Sequence, residues 1–276
     1  MLGDYLIKKV LNNNVIIAQK DNEDVILVGK GIGFNAKKGD LLSRYKVEKI
    51  FIKKTPKIKD TYNKVLNKID KKIVGISEEI IDAAEKELGA KLNEGVHISL
   101  PDHINFALRR TEKGINIENP FLEELRILYP KELKIALDAV DMINERLNVK
   151  LPKDEAGFIC LHIQAGITKQ EVSQSLEYTK KISKVMELIS KLTKTKVSKQ
   201  SLSYMRTLTH INFMIERVKN HKPIRNELLS SIKREMNYEF SIAIKVAMLI
   251  ERLFNIKIPE DEMGYIALHL KRLSQE

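Results

Sequence analysis

The sequence predicts an α+β multidomain chain in which a small antiparallel β domain precedes two homologous all-helical bundles. Three observations predict it. The first is a repeat: Leu151-Pro-Lys-Asp-Glu-Ala-Gly-Phe-Ile-Cys-Leu-His-Ile163 recurs as Ile258-Pro-Glu-Asp-Glu-Met-Gly-Tyr-Ile-Ala-Leu-His-Leu270, with seven of thirteen positions identical and a displacement of 107 residues. The same displacement carries Asp102-His-Ile-Asn-Phe106 onto Thr209-His-Ile-Asn-Phe213. A unit of that length is a small domain with its own core, not a solenoid turn. The second observation is a change of period, from short apolar runs between turn residues to apolar spacings of three and four after residue 55. The third is charge. Of the net +11, residues 1–59 hold thirteen Lys or Arg against six Asp or Glu, while the other 217 residues hold thirty-five against thirty-one.

In the first domain, taken as residues 1–56, Tyr5-Leu-Ile-Lys-Lys-Val-Leu11 meets the turn-forming Asn12-Asn-Asn14, then Val15-Ile-Ile-Ala18 follows. Asp21-Asn-Glu-Asp24 turns into Val25-Ile-Leu-Val28, and Lys46–Ile52 supplies a fourth strand. Four short strands bury little surface, so dimerisation is expected to complete the domain. Its +7 charge points to a polyanion, and nucleic acid is the commonest such partner. Gly29-Lys-Gly-Ile-Gly-Phe34 is neither a P-loop nor a dinucleotide fingerprint, because the Ser/Thr and the glycine spacing are missing. It reads either as a glycine-rich hairpin turn or as a loop offering Lys30 to phosphate and Phe34 to an unstacked base.

Thr55-Pro56 breaks the strand pattern, and 57–60 is read as a linker. From Asp60 the chain reads as helical: Ile76, Ile80, Ala83, Ala84 and Leu88 form a stripe that Gly89 closes as a C-cap. Leu137, Val140, Ile143, Asn144 and Leu147 form another, repeated as Ile244, Ala247, Ile250 and Phe254. The repeat divides this region into 61–168 and 169–276. Pro152 with Asp154-Glu155 marks a helix start, which places Glu155, Phe158, Ile159 and His162 on one stripe with His162 near the helix end. Pro101 is expected to start or kink the helix that carries His103.

Each repeat thus holds two histidines in matching places, His103 with His162 and His210 with His269. A lone histidine near apolar neighbours is more often a hydrogen-bonded structural residue. Retention of both across copies that have otherwise drifted argues for function. Fifty-nine residues separate each pair, unlike the i, i+4 spacing of a helical metal site, and no nucleophile or oxyanion motif recurs. Neither a metal nor a cofactor nor an enzymatic activity is expected. A phosphoryl acceptor needs only a neutral imidazole and access for a donor. The single Cys160 faces Ala267 in the other copy and is read as packing. Few cysteines, and no apolar run long enough for a bilayer, predict a cytoplasmic protein.

Val10-Leu-Asn-Asn-Asn-Val15, the Gly29–Phe34 loop, Val47-Glu-Lys-Ile-Phe51 and the two helical repeats together resemble the BglG-type transcriptional antiterminators over essentially the whole chain. The resemblance implies a dimeric β domain that binds an RNA hairpin in nascent mRNA and keeps a terminator from forming. It implies two regulation domains whose histidines, here His103, His162, His210 and His269, are phosphorylated by the sugar phosphotransferase system, through a sugar permease (enzyme II) and the phosphocarrier HPr. RNA contacts would fall on Lys9, Asn12, Asn14, Gly29, Lys30 and Phe34. The loop variant Lys30-Gly-Ile-Gly33 is similar to antiterminators of glucose permease operons, and Pro101 stands where relatives often carry Thr. Two other readings are a histidine phosphoryl carrier with a basic docking module, and a DNA-binding activator, which would need a helix-turn-helix that the N-terminus does not display.

Overall fold

Turn residues cut the first fifty residues into strands too short to stand alone, and pairing completes them. In the computed structural model, which describes residues 5–21, 23–52, 68–194 and 198–274, β1 (Tyr5–Val10), β2 (Val15–Lys20), β3 (Glu23–Val28), β4 (Leu41–Leu42) and β5 (Lys49–Ile52) form one sheet in the order β4-β1-β2-β3-β5. All neighbours are antiparallel. The predicted fourth strand is shortened because Arg44–Lys46 forms a 3-10 turn. The two-residue β4 is too short to show an alternating pattern in the sequence. By the period of two, Tyr5, Ile7, Ile16, Ala18, Val25 and Leu27 pack on one face with Ile32 and Leu42. Ile17 and Ile26 point the other way and are equally buried. A helix, α1 (Lys71–Leu88), lies against β2 and β3.

The expected linker at 57–60 lies outside the described residues. Helix α1 (Lys71–Leu88) starts at Asp70, whose carboxylate accepts the Lys72 amide at 2.7 Å, and stops at Gly89 with φ 62°. It is followed by α2 (Val96–Glu112), α3 (Leu122–Leu128), α4 (Pro130–Leu147), α5 (Glu155–Thr168), α6 (Val172–Thr193), α7 (Leu202–Lys219), α8 (Leu229–Glu235), α9 (Asn237–Phe254) and α10 (Glu260–Leu273). Helix α2 runs through Pro101 and begins five residues before it, so the proline does not start the helix. His162 sits in the middle of α5, not near its end. Of the expected stripe, Ala247 and Ile250 are buried but Ile244 is exposed, and α9 completes its buried face with Ile242, Ala243 and Val246.

The chain divides into two compact units, Met1–Asn119 with Lys131–Ser175, and Pro120–Pro130 with Leu176–Glu276. In the first, α2 packs between α1 and α5, and α1 meets the sheet. In the second, α10 packs on α7, α8 and α9 around a core that includes Leu208, Ile211, Val246, Ile250 and Leu270. Helix α3 belongs to this second unit and packs on α7. There Glu124 is fully buried and accepts from Ser183 Oγ at 3.1 Å, Lys199 Nζ at 2.8 Å and the Tyr204 hydroxyl at 3.0 Å. Three donors offset the cost of burying that charge.

Candidate functional site

The six residues expected to contact RNA fall around one edge of the sheet. Asn12 to Asn14 form the tight link between β1 and β2, and the glycine-rich loop leaves β3 beside it. The two are fastened by backbone bonds, Gly29 N to Asn14 O at 3.0 Å and Gly33 N to Asn13 O at 2.9 Å. Side chains complete the joint: Asn14 Oδ1 accepts from Gly31 N at 2.9 Å, and Asn12 Oδ1 accepts from Asn14 N at 2.8 Å. A Cβ on Gly33 would lie 2.1 Å from Asn12 O, so glycine is required there by close approach. Gly29 is equally confined, against Lys46 O, and its role in the joint is backbone packing. Phe34 stands out from this scaffold, 67 % exposed, with Lys30 exposed beside it. Lys9 follows an irregularity in the β1–β2 register between Ile7 and Lys9, which re-aims the strand. Both carbonyl oxygens of the asparagine pair are thus spent on the scaffold. Their side-chain amide groups take no part in that scaffold.

The histidine pairs assemble from residues 59 positions apart. In the first repeat α2 and α5 bring the His103 and His162 rings to 5.0 Å, with Phe158 5.8 Å from His103. In the second, α7 and α10 bring His210 and His269 to 4.4 Å, with Tyr265 in the place of Phe158. Burial pushes His162 down to about 3, helped by His103. Burial, His269 and Arg217 bring His210 to about 3 as well, and burial, Arg272 and Arg206 lower His269. These three imidazoles are therefore neutral near pH 7, as a nucleophilic ring nitrogen must be.

Behind each pair lies a carboxylate on an arginine. Glu155, fully buried, pairs with Arg110, and its Oε2 faces His103 Nε2 at 3.3 Å, within ion-pair range but off the hydrogen-bond direction. At the 107-residue displacement the partners are Glu262 and Arg217, joined through both carboxylate oxygens at 2.8 and 3.2 Å. Sequence reasoning placed Glu155 on the histidine stripe but missed Arg110 and Arg217. The repeat contained the signal, since Arg110 and Arg217 are themselves one displacement apart. His162 Nδ1 is held by Ser99 Oγ at 3.1 Å, and His103 Nε2 is buried, which leaves Nε2 of His162 and Nδ1 of His103 as the nitrogens without those partners. The two repeats differ around the second histidine: Arg206 and Arg272 act on His269, and one displacement earlier the chain has Ser99 and Ala165. Of the remaining histidines, His97 is buried against Glu78 at 2.7 Å.

The CAT RNA binding domain family matches residues 5–60, and the PRD domain family matches 78–166 and again 183–273. The chain is 37% identical over 279 residues to the PtsGHI operon antiterminator of Bacillus subtilis, covering 100% of this chain and 99% of that protein. It is 32% identical to transcription antiterminator LicT of the same organism, covering 98% and 99%. It is 33% identical to Protein GlcT of Staphylococcus saprophyticus, covering 98% and 97%. A crystal structure of GlcT CAT-PRDI superposes with a TM-score of 0.51 at 44% identity, over 60% of this chain and 99% of that one.

Proposed function

Since the chain belongs to the BglG-type transcription antiterminators, with a CAT RNA-binding domain ahead of two PRD domains, we propose that it binds an RNA hairpin in nascent mRNA ahead of a phosphotransferase sugar permease gene and is switched by histidine phosphorylation. Residues 1–56 bind the RNA as a homodimer, through Lys9, Asn12, Asn14, Gly29, Lys30 and Phe34. Residues 61–168 and 169–276 are the regulation domains. The sugar is glucose, a reading supported by the Lys30-Gly-Ile-Gly33 loop and by the PtsGHI and GlcT relatives. The protein acts by binding in the cytoplasm, without turnover of its own. Among the described residues no helix is long and apolar enough to cross a membrane.

The observation that carries the switch is the pair of adjacent imidazoles in each repeat, backed each time by a Glu–Arg pair. Phosphorylation breaks the bond between phosphorus and the donor's side chain, forms a P–N bond on the imidazole nitrogen and adds about two negative charges. On His103 that charge meets Glu155, so the first repeat must rearrange. On His269 it meets Arg206 and Arg272, so the second repeat accommodates it. The permease is accordingly the donor for His103 and His162, with inhibition as the outcome, and HPr addresses His210 and His269. The test is antitermination in cells lacking the permease. Wild type should become active without sugar and match His103→Ala and His162→Ala. A wild type that stays sugar-dependent in that strain overturns the assignment.

A further inference from the structure

Both free amide groups of the asparagine turn end on one carboxylate of the first regulation domain. Asn12 Nδ2 donates to Glu79 Oε1 at 2.7 Å and Asn14 Nδ2 to Glu79 Oε2 at 3.1 Å. Glu79 lies on α1, and Arg146 from α4 holds both of its oxygens at 2.7 Å. The contact continues along α1. Lys49 of β5 bonds Asp82 at 3.0 Å and Glu85 at 2.6 Å. Lys86 bonds Glu48 at 3.0 Å, and Glu48 in turn accepts the backbone amide of Lys30 at 3.0 Å. Gly75, one helical turn before Glu79, makes the approach possible, since a Cβ there would lie 2.5 Å from Asn12 Nδ2.

The second repeat is an internal control. Its family match begins at 183 where the first begins at 78. That start is 105 residues on, two short of the displacement between the histidines, and it sets buried Met186 and Ile189 of α6 where α1 buries Ile81 and Ala84, and Lys180 and Lys184, both exposed, where α1 has Gly75 and Glu79. The helix that faces the basic β domain is therefore glycine and acid at the positions where its sister is lysine. A carboxylate-bearing face that takes the hydrogen-bond donors and lysines of a basic domain occupies what a polyanion would use.

We infer that α1 of the first regulation domain is an internal cover for the RNA-binding edge, with Glu79 holding the amides of Asn12 and Asn14, so that this contact and the RNA hairpin exclude each other. The inference rests on the reading of Asn12 and Asn14 as RNA contacts. A cover closed about ten times more often than open lowers apparent RNA affinity by about the same factor. Two variants open it by different means. Glu79→Ala removes the acceptor, and Gly75→Ala inserts a methyl group where Asn12 sits while favouring the helix.

The experiment measures binding of the unphosphorylated full chain to the leader-transcript hairpin of the Bacillus subtilis ptsGHI operon, with each variant checked for native helicity by circular dichroism. Glu79→Ala and Gly75→Ala should each bind about tenfold tighter than wild type, and adding Asn14→Ala to Glu79→Ala should abolish the gain. Folded Glu79→Ala and Gly75→Ala proteins that bind no tighter than wild type, while Asn14→Ala weakens binding, overturn the cover and leave the RNA contacts standing. If instead both Asn12→Ala and Asn14→Ala bind as well as their Glu79→Ala parent, the RNA contacts are wrong and the cover falls with them.

Discussion

Two buried histidines of the first unit respond to pH with opposite signs. Burial alone would lower His97, but the Glu78 carboxylate outweighs it and raises the imidazole above its ordinary value. A raised pKa stabilises the fold fully below about 6.5, and that contribution is lost as pH rises through the folded value. His162, at about 3, does the reverse. Below about 6.5 the unfolded chain takes a proton that the folded ring refuses, so stability falls with pH through that window. Urea melts between pH 5 and 8 should therefore show a His97→Gln deficit that shrinks on the alkaline side, and a His162→Gln protein less sensitive to acid than wild type. In the β domain, Phe34→Ala should cost about 1 to 3 kcal/mol of RNA binding, as at other stacking platforms, with the melting curve unchanged because the ring is two-thirds exposed. A filter-binding titration alongside thermal denaturation checks both halves.

Among the elements, the buried Glu–Arg pairs make the sharpest demand. Removing Arg110 strands Glu155 in the core and should cost about 3 to 5 kcal/mol, and Arg217→Ala should cost less because Arg217 is more exposed. Denaturant unfolding of the two variants, with Arg110→Lys as an intermediate, gives the order. These elements also show what a sequence can disclose. The strands were legible because Asn12 to Asn14 and Asp21 to Asp24 punctuate apolar runs, and α1 because Gly89 ends a clean stripe. The histidine pairs were legible through the repeat alone. β4 was not, being two residues long, nor was the start of α2, because Pro101 is a strong breaker and the helix begins at Val96 without a capping side chain. Glu79 was invisible for a different reason. Its role is defined by a neighbour 65 and 67 residues away, and the second repeat, which has no such neighbour, carries lysine there.

At the scale of the whole molecule, the basic excess lies in the first 59 residues of the chain, so RNA binding should be strongly salt-dependent. A plot of log affinity against log salt should be linear and negative. Part of that basic charge is already neutralised by the carboxylates of α1, where Asp82 and Glu85 hold Lys49. Exchanging Asp82 for Asn in the full chain should consequently steepen the slope, since more phosphates can then displace counterions. A flat or unchanged slope would argue that Lys49 never meets RNA.

The position of α3 bears on how this protein can be dissected. Its sequence lies inside the first repeat while its packing, through buried Glu124 and Leu125, lies in the second unit, so the chain passes between the units three times, at 119/120, 130/131 and 175/176. Tandem domains joined once can be separated by a single cut. Here a truncation after residue 168 removes Ser183, Lys199 and Tyr204 and leaves Glu124 with no donors, while a fragment beginning at 169 has a vacant place where α3 belongs. A gene encoding the second regulation domain should therefore carry residues 120–130 grafted to its front if its product is to fold as it does in the intact chain.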